Sequence, residues 1–134
     1  MLIHSEKEML DYGEKFAESL QLPAVIELIG DVGAGKTTFT RGLAKGLGVE
    51  SELSSPSFTI SREYHGDKAN LVHYDFYRLE DPGLMVEDLA ETISDPSTVT
   101  VIEWGQSIAD ILPEQHHVIE IKYIDENTRE LISK

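Results

Sequence analysis

From residue 30 to residue 38 the chain reads Gly-Asp-Val-Gly-Ala-Gly-Lys-Thr-Thr. Glycines at 30, 33 and 35 are followed at once by a cation, Lys36, and a hydroxyl, Thr37, which is the spacing G-x-x-x-x-G-K-[ST]. Each residue type has a physical reason. Glycine admits positive φ and lets the backbone come close to a ligand. Successive amides can then converge on one anion-binding concavity. A helix that begins here adds its positive end. Lys36 is placed to reach β- and γ-phosphates, and the Thr37 hydroxyl to ligate Mg²⁺. The pattern is a P-loop, with Asp31, Val32, Gly33, Ala34, Gly35, Lys36, Thr37 and Thr38 as the expected phosphate cradle. The sequence has no Asn-Lys-x-Asp guanine signature, so ATP is expected rather than GTP.

A magnesium ion held by phosphates and one hydroxyl calls for a carboxylate. Asp75 follows the apolar run Leu-Val-His-Tyr. By strand alternation it shares a face with His73 and Tyr77, while Val72, Tyr74 and Phe76 take the other. An ordinary carboxylate on a half-exposed strand is the plainer alternative. His73 and Asp75 alone are too few to make a zinc site. Glu103 ends Thr-Val-Thr-Val-Ile-Glu, a strand that reads as buried. At the C-terminal end of a parallel strand, a carboxylate can orient an attacking water or hold a magnesium-bound one. Its alternative is a strand-end charge that meets solvent. The catalytic candidates are therefore Lys36, Glu103 and Asp75, and the metal candidates Thr37, Asp75 and Glu103. Trp104 comes next, and a tryptophan is more often packing than a contact residue. Ser54, Ser55, Pro56, Ser57 and Phe58 form a hydroxyl-rich loop that either senses a γ-phosphate or is a simple turn. Arg41, Arg62 and Arg78, three of four arginines, can face phosphates, a partner or solvent.

These residues need a scaffold. Ser5 and Glu8 form a capping box that opens a first helix, with Met9, Phe16, Ala17 and Leu20 on one face and an end near Leu22-Pro23. Residues 24–29 read as a buried strand and 35–47 as a helix stopped by Gly48. Residues 57–64 and 70–79 predict a long antiparallel hairpin around His-Gly-Asp-Lys-Ala. Asp81-Pro82 opens another helix, with Met85, Val86, Leu89, Ala90 and Ile93 on its buried face. Residues 98–104 are a strand and 105–112 a short helix. Residues 117–124 are a strand with Ile119, Ile121 and Tyr123 on one face, and 129–133 pair back with it. The order α-β-α-β-β-α-β-α-β-β predicts an α/β fold, a single P-loop domain over residues 1–134 whose mixed parallel and antiparallel sheet is flanked by helices.

Composition narrows the class. The 134 residues are 40% hydrophobic and 27% charged, as in a globular domain. A net charge of −14 with no basic tract disfavours unaided binding to nucleic acid. There is no cysteine, which fits a reducing cytosol and excludes thiolate metal sites. The start, Met-Leu-Ile-His-Ser-Glu, has neither the basic flank nor the apolar core of a signal peptide, and no apolar run approaches a membrane span. A cytoplasmic protein is expected.

The P-loop, Ser-Pro-Ser-Phe at 55–58, His-Tyr-Asp-Phe-Tyr-Arg-Leu at 73–79 and Ile-Glu-Trp-Gly-Gln at 102–106 together resemble the TsaE (YjeE) family over nearly the whole chain. The P-loop names only a superfamily; His-x-Asp-x-Tyr-Arg-Leu and Glu-Trp make the resemblance specific. It implies a P-loop ATPase of tRNA threonylcarbamoyladenosine synthesis, slow alone. It implies that ATP hydrolysis supports turnover by TsaD-like and TsaB-like partners, with tRNA met only indirectly and no membrane. It further implies that Asp75 is a magnesium-site aspartate, Glu103 and Trp104 a required pair with Trp104 at the nucleotide, and Ser54 to Phe58 a switch-like loop. Two positions depart: Ser57 stands where threonine is common, and Gly105 where proline is frequent. The alternatives are a small-molecule P-loop kinase and a non-hydrolytic nucleotide-switch module. A kinase needs an acceptor pocket and a closing lid, for which the chain has few arginines and no spare insertion. A switch module would bind ATP without hydrolysing it.

Overall fold

The computed structural model describes residues 1–30, 34–50, 61–76, 85–104 and 112–134. Its elements are β1 (Leu2–Ile3), α1 (Glu6–Ser19), β2 (Ala24–Ile29), α2 (Lys36–Gly46), β3 (Ser61–His65), β4 (Asn70–Asp75), α3 (Met85–Ser94), β5 (Thr98–Glu103), β6 (His117–Asp125) and β7 (Thr128–Ser133). The strands form one seven-stranded sheet in the order β1-β7-β6-β2-β5-β4-β3. Parallel ladders join β2 to β5 and β6, and β4 to β5. Antiparallel ladders join β3 to β4, β6 to β7 and β1 to β7. The expected mixed sheet is therefore present, with the parallel strands at its centre.

The burial of the central strands follows from composition. β5 is apolar or Thr up to its last residue and is buried along its whole length. Helices cover both faces, as parallel strands require. One face carries Ile26, Leu28, Leu71, Val99, Val101 and Ile119 under α1 and α2. The other carries Val25, Val72, Tyr74, Phe76 and Ile102, with Leu89 of α3. α1 begins with half of the predicted capping box: the Ser5 hydroxyl accepts from the Glu8 amide, but Glu8 Oε2 accepts from the amide of His4, one residue before the N-cap, rather than from that of Ser5. α1 and α2 lie backbone against backbone. A Cβ on Gly42 would stand 2.2 Å from the Leu10 carbonyl oxygen, and one on Gly13 would stand 2.5 Å from that of Phe39.

The structure corrects several expectations. A two-residue strand, β1, precedes α1, and Leu131 NH donates to the Met1 carbonyl. α1 ends at Ser19, with Leu20 at the C-cap in an extended conformation, earlier than Leu22-Pro23. The hairpin is real but its described part is shorter, spanning Ser61–His65 and Asn70–Asp75. Residues 57–60 and 77–79 of that expectation, the start of the third helix at 81–84 and most of the helix expected at 105–112 lie outside the described residues. Ala90 is exposed rather than on the buried face of α3.

The roll of α3 has a polar cause. The buried Tyr74 hydroxyl donates to Asp88 Oδ2 at 2.7 Å and lies 2.8 Å from Thr92 Oγ1, which turns Asp88, Leu89 and Thr92 toward the sheet and Ala90 away. Burial pushes the Tyr74 phenol above its ordinary value, so it stays a donor. Tyr74→Phe should therefore destabilise by about 1–2 kcal/mol, the loss of one charge-assisted bond. Thermal melting, read against a fall of roughly 3–6 °C, checks this.

Candidate functional site

The first glycine of the P-loop ends β2 where β6 runs closest. A Cβ on Gly30 would stand 2.6 Å from the Ile121 carbonyl oxygen, so no larger residue fits. The last, Gly35, has φ +114 and is the N-cap of α2. α1 has Ser5 to satisfy a first-turn amide, whereas Gly35 has no side chain to serve α2. Asp31, Val32 and Gly33 lie outside the described residues.

Lys36 is the first residue of α2 and is only 8% exposed. A buried ammonium at the positive end of a helix is doubly unfavourable, through desolvation and through the helix dipole. Two groups compensate it. Its Nζ lies 3.4 Å from Glu103 Oε1 and 4.6 Å from the centre of the Trp104 ring.

Glu103 is 5% exposed, so the reading of a strand-end charge in solvent is excluded. Its second oxygen, Oε2, lies 2.5 Å from His73 Nε2. Burial pushes the Glu103 carboxyl up, but the His73 hydrogen bond and the charges of His73 and Lys36 outweigh burial and hold it below its usual value. Glu103 is therefore a carboxylate at neutral pH. An ionised carboxylate only accepts, so His73 Nε2 carries the hydrogen of this bond.

The parallel register explains the grouping. Asp75 pairs with Glu103 and His73 with Val101 across β4 and β5, so all four side chains share the face covered by α2. That face was legible for His73 and Asp75; the bond from His73 to Glu103 was not, since it joins residues 30 apart in sequence. Asp75 is half-buried at the strand end. Among the described residues no cluster of three or more potential metal ligands occurs.

Trp104 leaves the sheet in the left-handed region, with φ 59. A non-glycine residue there costs on the order of 1–3 kcal/mol and marks a site that its surroundings over-determine. Trp104 packs against the cluster of Val25, Val72, Tyr74, Phe76, Leu89 and Ile102 while its ring also meets Lys36, so packing and site contact coexist. Thr37 is exposed and Thr38 half-buried. Ser54 to Phe58 and Arg78 lie outside the described residues, and Arg41 and Arg62 are exposed.

On the side of α2 away from Glu103, Thr38 and Gly35 open on a cavity of about 480 Å³. His4, Ser5 and Glu6 at the start of α1, Glu126 and Asn127 of the β6–β7 turn and Arg129 of β7 supply its other polar walls, two of them carboxylates. No sequence signal marked it, because its walls come from three segments far apart in the chain. The fit to a nucleoside triphosphate with Mg²⁺ is good on the donors present: an uncapped helix start, a buried cation, a hydroxyl at Thr37 and a carboxylate at Asp75.

A family model for the threonylcarbamoyl adenosine biosynthesis protein TsaE matches residues 3–131. A Haemophilus influenzae protein named tRNA threonylcarbamoyladenosine biosynthesis protein TsaE is 36% identical over 129 residues, covering 92% of this chain and 82% of that one. An Aquifex aeolicus protein of the same name is 36% identical over 135 residues, covering 98% and 92%. The crystal structure of Bacillus subtilis YdiB superposes with a TM-score of 0.77 at 33% identity, covering 98% of this chain and 80% of that one. Model, relatives and fold agree: the chain belongs to the TsaE family of threonylcarbamoyladenosine biosynthesis proteins.

Proposed function

We propose that this chain binds ATP with Mg²⁺ and hydrolyses it, as an accessory ATPase that supports turnover of TsaD-like and TsaB-like partners in tRNA threonylcarbamoyladenosine synthesis. One observation carries the ATP reading. Lys36 is a buried cation at the positive end of α2, whose N-cap Gly35 has no side chain to serve it, and a polyphosphate would engage both the cation and the helix end. The family supports the pathway. Among the described residues no helix is long and apolar enough to cross a membrane, and a cytoplasmic protein remains our reading. The net charge of −14 leaves tRNA contact to the partners.

The two sides of α2 orient the ligand. Lys36 pairs with Glu103 at the end of β5, where a γ-phosphate would lie, and Thr38 lines the cavity, where ribose and adenine would lie. Thr37 and Asp75 would hold Mg²⁺, which when bound neutralises charge on the phosphates. Glu103 would hold the attacking water and accept its proton as the nucleophile forms a bond to γ-phosphorus and the ADP oxygen leaves. Moving from Glu103 to the phosphates, Lys36 stabilises the charge that remains on them. Trp104, against Lys36, would border the nucleotide.

MgATP at 100 times its Kd should stabilise the protein by about 2.7 kcal/mol. For a chain of 134 residues that raises the melting temperature by roughly 8–12 °C. An unchanged melting curve at millimolar MgATP removes the ATP reading. Release of free phosphate, rather than its transfer to an added acceptor, distinguishes hydrolysis from the kinase alternative.

A further inference from the structure

Glu103 is held from two sides, and the two partners differ in kind. Lys36 sits on α2, at the mouth of the site, on Oε1. His73 sits behind, one alternate position down β4 from Asp75, on Oε2. His73 is 3% exposed, and among the described residues Glu103 is its side-chain polar partner. When Lys36 turns to the phosphates, His73 is the side chain that still fixes the carboxylate.

Glutamate has three rotatable side-chain bonds, and a water-holding carboxylate that swings loses the alignment on which its chemistry depends. Anchoring one oxygen from the core removes that freedom and leaves the other facing the mouth. Nothing apolar of the same size can do this, because a buried carboxylate without a donor is strongly disfavoured.

We propose that His73 is a positioning residue for ATP hydrolysis: its Nε2–H holds Glu103 Oε2 from inside the sheet, so that Oε1 is presented to the attacking water. The proposal rests on the ATPase reading above, and the experiment separates the two. Single-turnover hydrolysis of radiolabelled ATP with Mg²⁺, ATP affinity by calorimetry and thermal melting are measured for the wild type, Glu103→Gln, His73→Leu, His73→Gln, His73→Asn and the double variant His73→Leu/Glu103→Gln.

His73→Leu, which removes the donor, is expected to slow the chemical step about 10–100-fold, as losses of orienting partners do, with ATP affinity within about 3-fold of the wild type. His73→Gln places an amide N–H at the reach of Nε2 and is expected to recover most of the rate. His73→Asn is one bond too short and should stay slow. Adding His73→Leu to Glu103→Gln should cost nothing further, since His73 acts through Glu103. If His73→Leu does not fold, the contrast between Gln and Asn carries the test. Wild-type hydrolysis by His73→Leu, equal slowness of His73→Gln and His73→Asn in folded protein, or additive losses in the double variant each overturn the proposal while Glu103→Gln remains inactive. A wild-type protein that leaves ATP intact overturns the ATPase reading and this proposal together.

Discussion

Replacing Glu103 with glutamine is expected to slow ATP hydrolysis about 100-fold or more while ATP binds at least as tightly as before. The first half follows from the loss of a positioned base. The second follows from the pairing of Lys36 with Glu103 Oε1 at 3.4 Å. A triphosphate has to win Lys36 from that carboxylate and then sit beside a buried negative charge. Glutamine keeps the shape and removes both penalties, so affinity should rise several-fold. Lys36→Ala has the opposite signature. It removes the cation that meets the phosphates and is expected to weaken ATP about 10-fold or more, the worth of a charge-assisted bond. It also leaves the buried Glu103 carboxylate with His73 as its partner among the described residues, so some stability is lost with it. Calorimetry beside phosphate release, with melting curves for each variant, reads all of this. Glu103→Gln at wild-type rate would reduce Glu103 to a structural counter-ion of Lys36.

The second large effect is on stability, and its sign runs against helix propensity. In an exposed helix, Gly→Ala gains about 1 kcal/mol. At Gly42 the added methyl meets the Leu10 carbonyl oxygen at 2.2 Å, and both atoms belong to helical backbone that cannot rotate away. The remaining way out is to separate α1 from α2, which loosens Met9, Ala17, Phe39 and Leu43 together. Gly42→Ala should therefore destabilise by about 3 kcal/mol, lowering the melting temperature by roughly 10 °C. A variant that melts at or above the wild type would mean that the two helices do not approach so closely.

The central strands and the order of α1 to α3 among them were legible because short apolar runs alternate with helical ones and the P-loop spacing marks one junction. The shared face of His73 and Asp75 follows from period-two alternation alone. Other features are set by partners distant in sequence. β1 is two residues long and exists through its ladder with β7. The burial of Ala90 was misjudged because Tyr74, on another element, sets the roll of α3. Glu103 was legible as a catalytic candidate, with a solvent-facing charge as the alternative, but its partners were not, because β4 and α2 bring His73 and Lys36 to its two oxygens. The cavity beside Gly35 and Thr38 needed α1, α2 and the β6–β7 hairpin in place before it existed at all.

Trp104 has a practical consequence of another kind. It is the chain's one tryptophan, and the Lys36 ammonium stands 4.6 Å from the centre of its ring. Indole emission responds to a charge that close, and no second indole in the chain adds background. Any ligand that draws Lys36 away alters the electric field on the ring directly. The protein therefore carries an optical gauge of its own lysine, readable without a label and on the timescale of mixing.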